Sequence, residues 1–63
     1  MNSLRQIREN AGLSVSALAE ASGVSAVTIH RLEEEEDLAA NTRDLVALAD
    51  ALHIQVSVFF VPN

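Results

Sequence analysis

Few side chains in this 63-residue sequence are equipped for chemistry. There is no cysteine, so neither a disulfide nor a thiolate metal site is possible. The two histidines, His30 and His53, lie far apart in sequence. His30 is a lone histidine on a short helix, a solvated residue or a base contact more readily than a metal ligand. His53 falls near a helix end, where the dipole favours a cation. The five consecutive acids Glu33–Asp37 lack the alternation and the turn glycine of a calcium loop and read as a solvated acidic edge. No nucleophile–base pair, carboxylate dyad or phosphate loop is present. No catalysis, metal or cofactor is therefore expected. What remains is binding.

The charges bear on what would be bound. Four arginines, no lysine and nine acids give a net charge of −5 with histidine neutral. Residues 14–37 hold Glu20, Glu33, Glu34, Glu35, Glu36 and Asp37 against Arg31, which accounts for the whole excess. Elsewhere Arg5, Arg8 and Arg43 balance Glu9, Asp44 and Asp50. A chain this short buries only about 60% of its unfolded surface, so its core is thin and a cofactor cleft of its own is not expected. No apolar run approaches the roughly 20 residues of a membrane span, and no signal segment opens the sequence, so a cytoplasmic protein is expected.

The elements that must position these groups read as short helices with capping signals between them. Ser3 is a candidate cap for a helix carrying Leu4, Ile7, Arg8 and Ala11 on one side, and Gly12 ends it. Ser14 caps a second, in which Val15, Leu18, Ala19 and Ser22 keep helical spacing, and Gly23 stops it. Ser25 caps a third, with Ile29, Leu32 and Glu33 on one face. Asn41 and Thr42 precede a fourth carrying Leu45, Val46, Leu48, Ala49 and Leu52. The tail alternates like a strand but has no partner strand, so a short apolar helical turn closing the core is expected. Of Phe59 and Phe60, one is expected inside and one exposed.

Only Gly23 and Val24 separate the bodies of the second and third helices. Two short helices joined by a three- to four-residue turn containing glycine form a helix-turn-helix. Ala19 would sit where they cross, with Val24 and Ile29 plugging the space between them.

The residues Gly12-Leu13-Ser14, Leu18-Ala19-Glu20, Ser22-Gly23-Val24-Ser25, Thr28-Ile29, Arg31-Leu32-Glu33 and Leu48-Ala49-Asp50-Ala51-Leu52 resemble the lambda-repressor/Cro-like (XRE) helix-turn-helix family, over about Leu4 to Phe60. The resemblance implies an all-α, compact five-helix lambda-repressor-like bundle, a single helix-turn-helix domain over residues 1–63. The second helix would span about 15–22 and a recognition helix about 26–33. It implies double-stranded DNA as partner, read in the major groove, and a repressor-like transcriptional regulator as function. The DNA-facing residues would be Ser14, Val15, Ser25, Ala26, Val27, Thr28, His30 and Arg31. It further implies that Arg8 and Glu33 form a buried structural ion pair; the other reading of Arg8 is a phosphate contact.

Several positions depart from the family pattern. Val15 stands where glutamine is usual, Ala26 and Val27 stand where polar or basic residues are usual, and Glu34–Asp37 replace a corner that normally donates to phosphate. DNA affinity rests on neutralising phosphates, so an acidic corner opposes it. Arg31 reads as a base or phosphate contact, or as a local partner of Glu34 or Glu35. Ser14 and Ser25 are caps first and phosphate contacts second. The alternatives to DNA binding are an acidic protein–protein interaction module on the same scaffold, or an engineered variant of such a domain. A weak homodimer through Val56, Phe59, Phe60 and Val61 is also expected, because the tail carries more apolar surface than one turn buries.

Overall fold

Among the described residues, three of the four α-helices are followed by a residue in the left-handed region, and these stops divide the chain. The computed structural model describes residues 3–35 and 42–60. Helix α1 runs Leu4–Asn10, α2 Val15–Ser22, α3 Ala26–Glu34 and α4 Thr42–Leu52, followed by a 3-10 turn over Val56–Phe60. No strand occurs among the described residues. Asn41, Glu36, Asp37 and Val61, on which expectations were placed, lie outside them.

Gly12 (φ 75°) follows α1, and Leu13 N–H reaches back to Arg8 O. Gly23 (φ 78°) follows α2 and donates to Ala19 O. These are the left-handed stops that glycine supplies at little steric cost. After α4 the same job falls to His53, at φ 58°. Its N–H meets Asp50 O, and Ile54 N–H meets Ala49 O, a double closure with Ile54 packed on the core.

The core is built from one face of each element. Leu4, Leu18, Ile29, Leu32, Leu45 and Leu48 are fully buried, joined by Val24, Ala49, Leu52 and Phe59. Each of these side chains larger than alanine contributes about 1.5–3 kcal/mol relative to exposure. Helix α2 packs on both α3 and α4, α1 on α3, and the 3-10 turn on α4. Val24 sits buried in the turn between α2 and α3, and Ala19 lies half-buried on α2.

Three details differ from the sequence expectation. Ser3 does not cap α1 with its side chain; its backbone is already helical, and its hydroxyl donates to Phe59 O at 3.3 Å. Val46 lies on the outer side of α4. The tail forms the short apolar turn expected to close the core, but as a 3-10 turn and not as the fifth α-helix of a five-helix bundle. With three residues per turn, Val56 and Phe59 fall on one side. Phe59 is thereby buried and Val56 half-buried, while Val58 and Phe60 face solvent. Phe59 is thus spent on the core and is not available to a dimer face.

Candidate nucleic-acid interface

Helix α3 has two faces with different fates. Ile29, Leu32 and Glu33 point inward, whereas Val27, His30 and Arg31 point to solvent. Val27 is 79% exposed, against 0% for Ile29 and Leu32 on the same helix. The fold makes no use of this outer face. Ala26 and Thr28 are half-buried at its margin.

The start of α3 is fixed by Ser25, whose backbone is extended and whose Oγ accepts from Thr28 N–H at 3.2 Å. That Oγ also donates to Thr28 Oγ1 at 2.8 Å. Helix α2 starts the same way, with Ser14 Oγ accepting from Ala17 N–H at 3.0 Å. Such caps satisfy a backbone donor that the helix itself cannot. Ser14 and Ser25 are both exposed. Val15 behaves differently from the outward-facing residues around it: it is half-buried and packs against the core.

The end of α3 is tied to α1. Arg8 Nε donates to Glu33 Oε2 at 2.6 Å, and Arg8 Nη2 to Oε1 at 3.4 Å. Both residues are buried. The hydrogen bond to Glu33 raises the Arg8 pKa above its ordinary range; burial pulls the other way and loses. The third arm, Arg8 Nη1, donates to Leu13 O at 2.8 Å, so one guanidinium holds α1, the loop before α2, and α3. Leu13 was not anticipated from sequence. A signal existed: a buried arginine has five donors, more than one carboxylate satisfies. No buried side-chain nitrogen or oxygen among the described residues lacks a partner.

Around this pair a cleft between α1 and α3 is lined by Arg5, Arg8, His30, Glu33 and Glu34. Its cations are largely committed, Arg5 to Glu9 at 3.2 Å and Arg8 to Glu33. Arg31 is exposed, and among the described residues no ion pair joins it to Glu34. Glu34 is exposed, and Glu35 ends the helix with an extended backbone. His53 is exposed at its left-handed corner, remote in the chain from His30. Among the described residues no three His, Asp or Glu side chains are grouped to hold a metal ion, and no helix is long and apolar enough to cross a membrane.

No curated protein and no solved structure matches this chain. Its residues 2–57 match the family described as "Helix-turn-helix domain". That span contains the two capped helices, the Gly23–Val24 turn and the Arg8–Glu33 tie, and the chain belongs to this family.

Proposed function

We propose that this protein is a sequence-specific, DNA-binding transcriptional regulator of repressor type, acting in the cytoplasm, with α3 as the helix that enters the major groove. One observation carries the reading: the fold pins α3 through Ile29, Leu32 and Glu33, yet leaves Val27, His30 and Arg31 on an unused outer face. A recognition helix needs that division between a fixed side and a reading side. Ser14 and Ser25 are exposed at the starts of α2 and α3; the Ser14 hydroxyl keeps its proton for a backbone phosphate, and the Ser25 hydroxyl would reach one by exchanging its bond to Thr28 Oγ1. In this role Arg31 is a base or phosphate contact, His30 a base contact, and Ala26, Val27 and Thr28 line the groove. Val15 contributes least, because it is partly spent on the core. Arg8 and Glu33 act at a distance by holding the helix. The whole chain works as one domain, and the role is binding, not catalysis.

Operators read by such domains are commonly two-fold, with half-sites one DNA turn apart. Phe60 and Val58, exposed on the 3-10 turn, are the apolar surface through which two copies would pair weakly. The excess of acids in residues 14–37 favours a second reading, an acidic module that contacts protein instead of DNA. Titration of a duplex pool at several salt concentrations separates the two. A DNA binder loses affinity steeply as salt rises. No duplex affinity even at low salt would leave the protein-contact reading.

A further inference from the structure

We infer that Val27 is a specificity-determining residue that reads the C5-methyl group of a major-groove pyrimidine, thymine in unmodified DNA. This rests on the DNA-binding reading above. Val27 is the second residue of α3 and is 79% exposed, the most exposed large apolar side chain among the described residues. A helix entering the major groove presents its first residues to the base edges. Of the polar groups beside Val27, the Ser25 hydroxyl is already occupied. The Ser25 hydroxyl proton is given to Thr28 Oγ1, and the same oxygen accepts from Thr28 N–H. Thr28 is half-buried, and Ala26 carries only a methyl. The first residues of α3, Ala26 and Val27, therefore offer the groove an apolar surface, and the donors for base edges lie beyond them, at Thr28, His30 and Arg31.

In the major groove the one apolar group on a base edge is the thymine C5-methyl. A valine in a helix has essentially one χ1 rotamer, so its two methyls are held in place before binding and little side-chain entropy is lost on contact. Burying one methyl-sized group corresponds to about a fourfold change in affinity.

The test selects duplexes from a randomised pool made with ordinary bases, then rebuilds the enriched duplex with deoxyuridine at each thymine in turn. At one thymine per half-site, loss of the methyl should weaken binding about fourfold. In Val27→Ala that sensitivity should largely vanish; the position is exposed, so the variant should melt as the parent does. A parallel pool containing 5-methylcytosine distinguishes the source: enrichment of methylated cytosine in place of thymine keeps the methyl reading and changes the base. Equal binding of thymine and uracil duplexes, with no enrichment of methylcytosine, overturns the inference while leaving DNA binding intact. So does a uracil penalty that persists undiminished in Val27→Ala. Failure to enrich any duplex at low salt overturns both readings.

Discussion

Arg8 and Glu33, 25 residues apart, are joined by a 2.6 Å hydrogen bond within a two-point contact, and both are more than nine-tenths buried. Removing one partner strands the other charge away from water. Arg8→Leu or Glu33→Gln should each cost about 3–5 kcal/mol, and the double variant much less than the sum. Urea unfolding measures this, and additive costs would mean that the two do not interact. Arg8→Leu should be the more damaging, because it also orphans Leu13 O. The raised pKa of Arg8 fixes the sign of its pH effect. Its stabilising contribution is full below the unfolded pKa and is lost only as pH rises through the higher folded value. Arg8 should therefore add no slope to stability across neutral pH.

The left-handed stops give substitutions of opposite sign. A Cβ added at Gly23 meets nothing within 4 Å, so Gly23→Ala is penalised by φ alone, by about 1 kcal/mol. His53 already bears that strain at φ 58°. His53→Gly should raise stability by about 0.5–1 kcal/mol, the relief of strain being partly offset by a freer unfolded chain. Thermal melts of the two variants should move in opposite directions, and a lowered melting point for His53→Gly would refute the strain argument.

Those corners also mark what was legible in the sequence. Gly12 and Gly23 announced their turns, because glycine is the residue that takes positive φ cheaply. His53 carried no such signal; its corner follows from the packing of Ile54 on the core. Ser14 and Ser25 read as caps and cap, since a local bond three residues on is all a cap needs. Ser3 read the same way and does not, because its hydroxyl reaches 56 residues along the chain to Phe59 O. The tail alternates like a strand, yet it folds as a 3-10 turn so that Val56 and Phe59 share an inward side. The outer face of α3 was legible as a candidate, but the extent of Val27's exposure was not.

The cap contrast is testable. Ser25→Ala and Ser14→Ala should each cost about 1 kcal/mol through a lost backbone bond. Ser3→Ala, losing one hydroxyl bond of 3.3 Å while the Ser3 carbonyl still accepts from Ile7 N–H, should cost less. Denaturant midpoints for the three variants give the order directly. A Ser3→Ala cost equal to the others would show that the tie between the first helix and the tail matters as much as a cap.

Leu32 and Val27 probe the two sides of α3. Leu32→Ala opens a cavity in a core of few side chains and should cost about 2–5 kcal/mol. Val27→Ala, with 79% of its surface already in water, should stay within about 0.5 kcal/mol of the parent. Comparable losses at both positions would mean that the outer face is covered in solution, as a self-associating domain would cover it, and sedimentation of the same samples would reveal that state.

The acidic end of α3 sets the last prediction. Glu34 is exposed, one helical turn beyond His30 on the outer side. If α3 enters the groove, a carboxylate there stands near the phosphates and lowers affinity. Glu34→Lys takes the net charge from −5 to −3 without touching the buried Glu33. Two charge units at about 8 Å from a phosphate amount to roughly 1 kcal/mol in water, or about fivefold tighter duplex binding at low salt. The gain should fade as the screening length shrinks, so parent and variant should converge at high salt and the variant should show the steeper salt slope. Arg31→Ala should shift affinity the other way. A gain for Glu34→Lys that is the same at every salt concentration would show that the effect is not electrostatic. No gain at any salt would place Glu34 away from the phosphates and point α3 at a partner other than DNA.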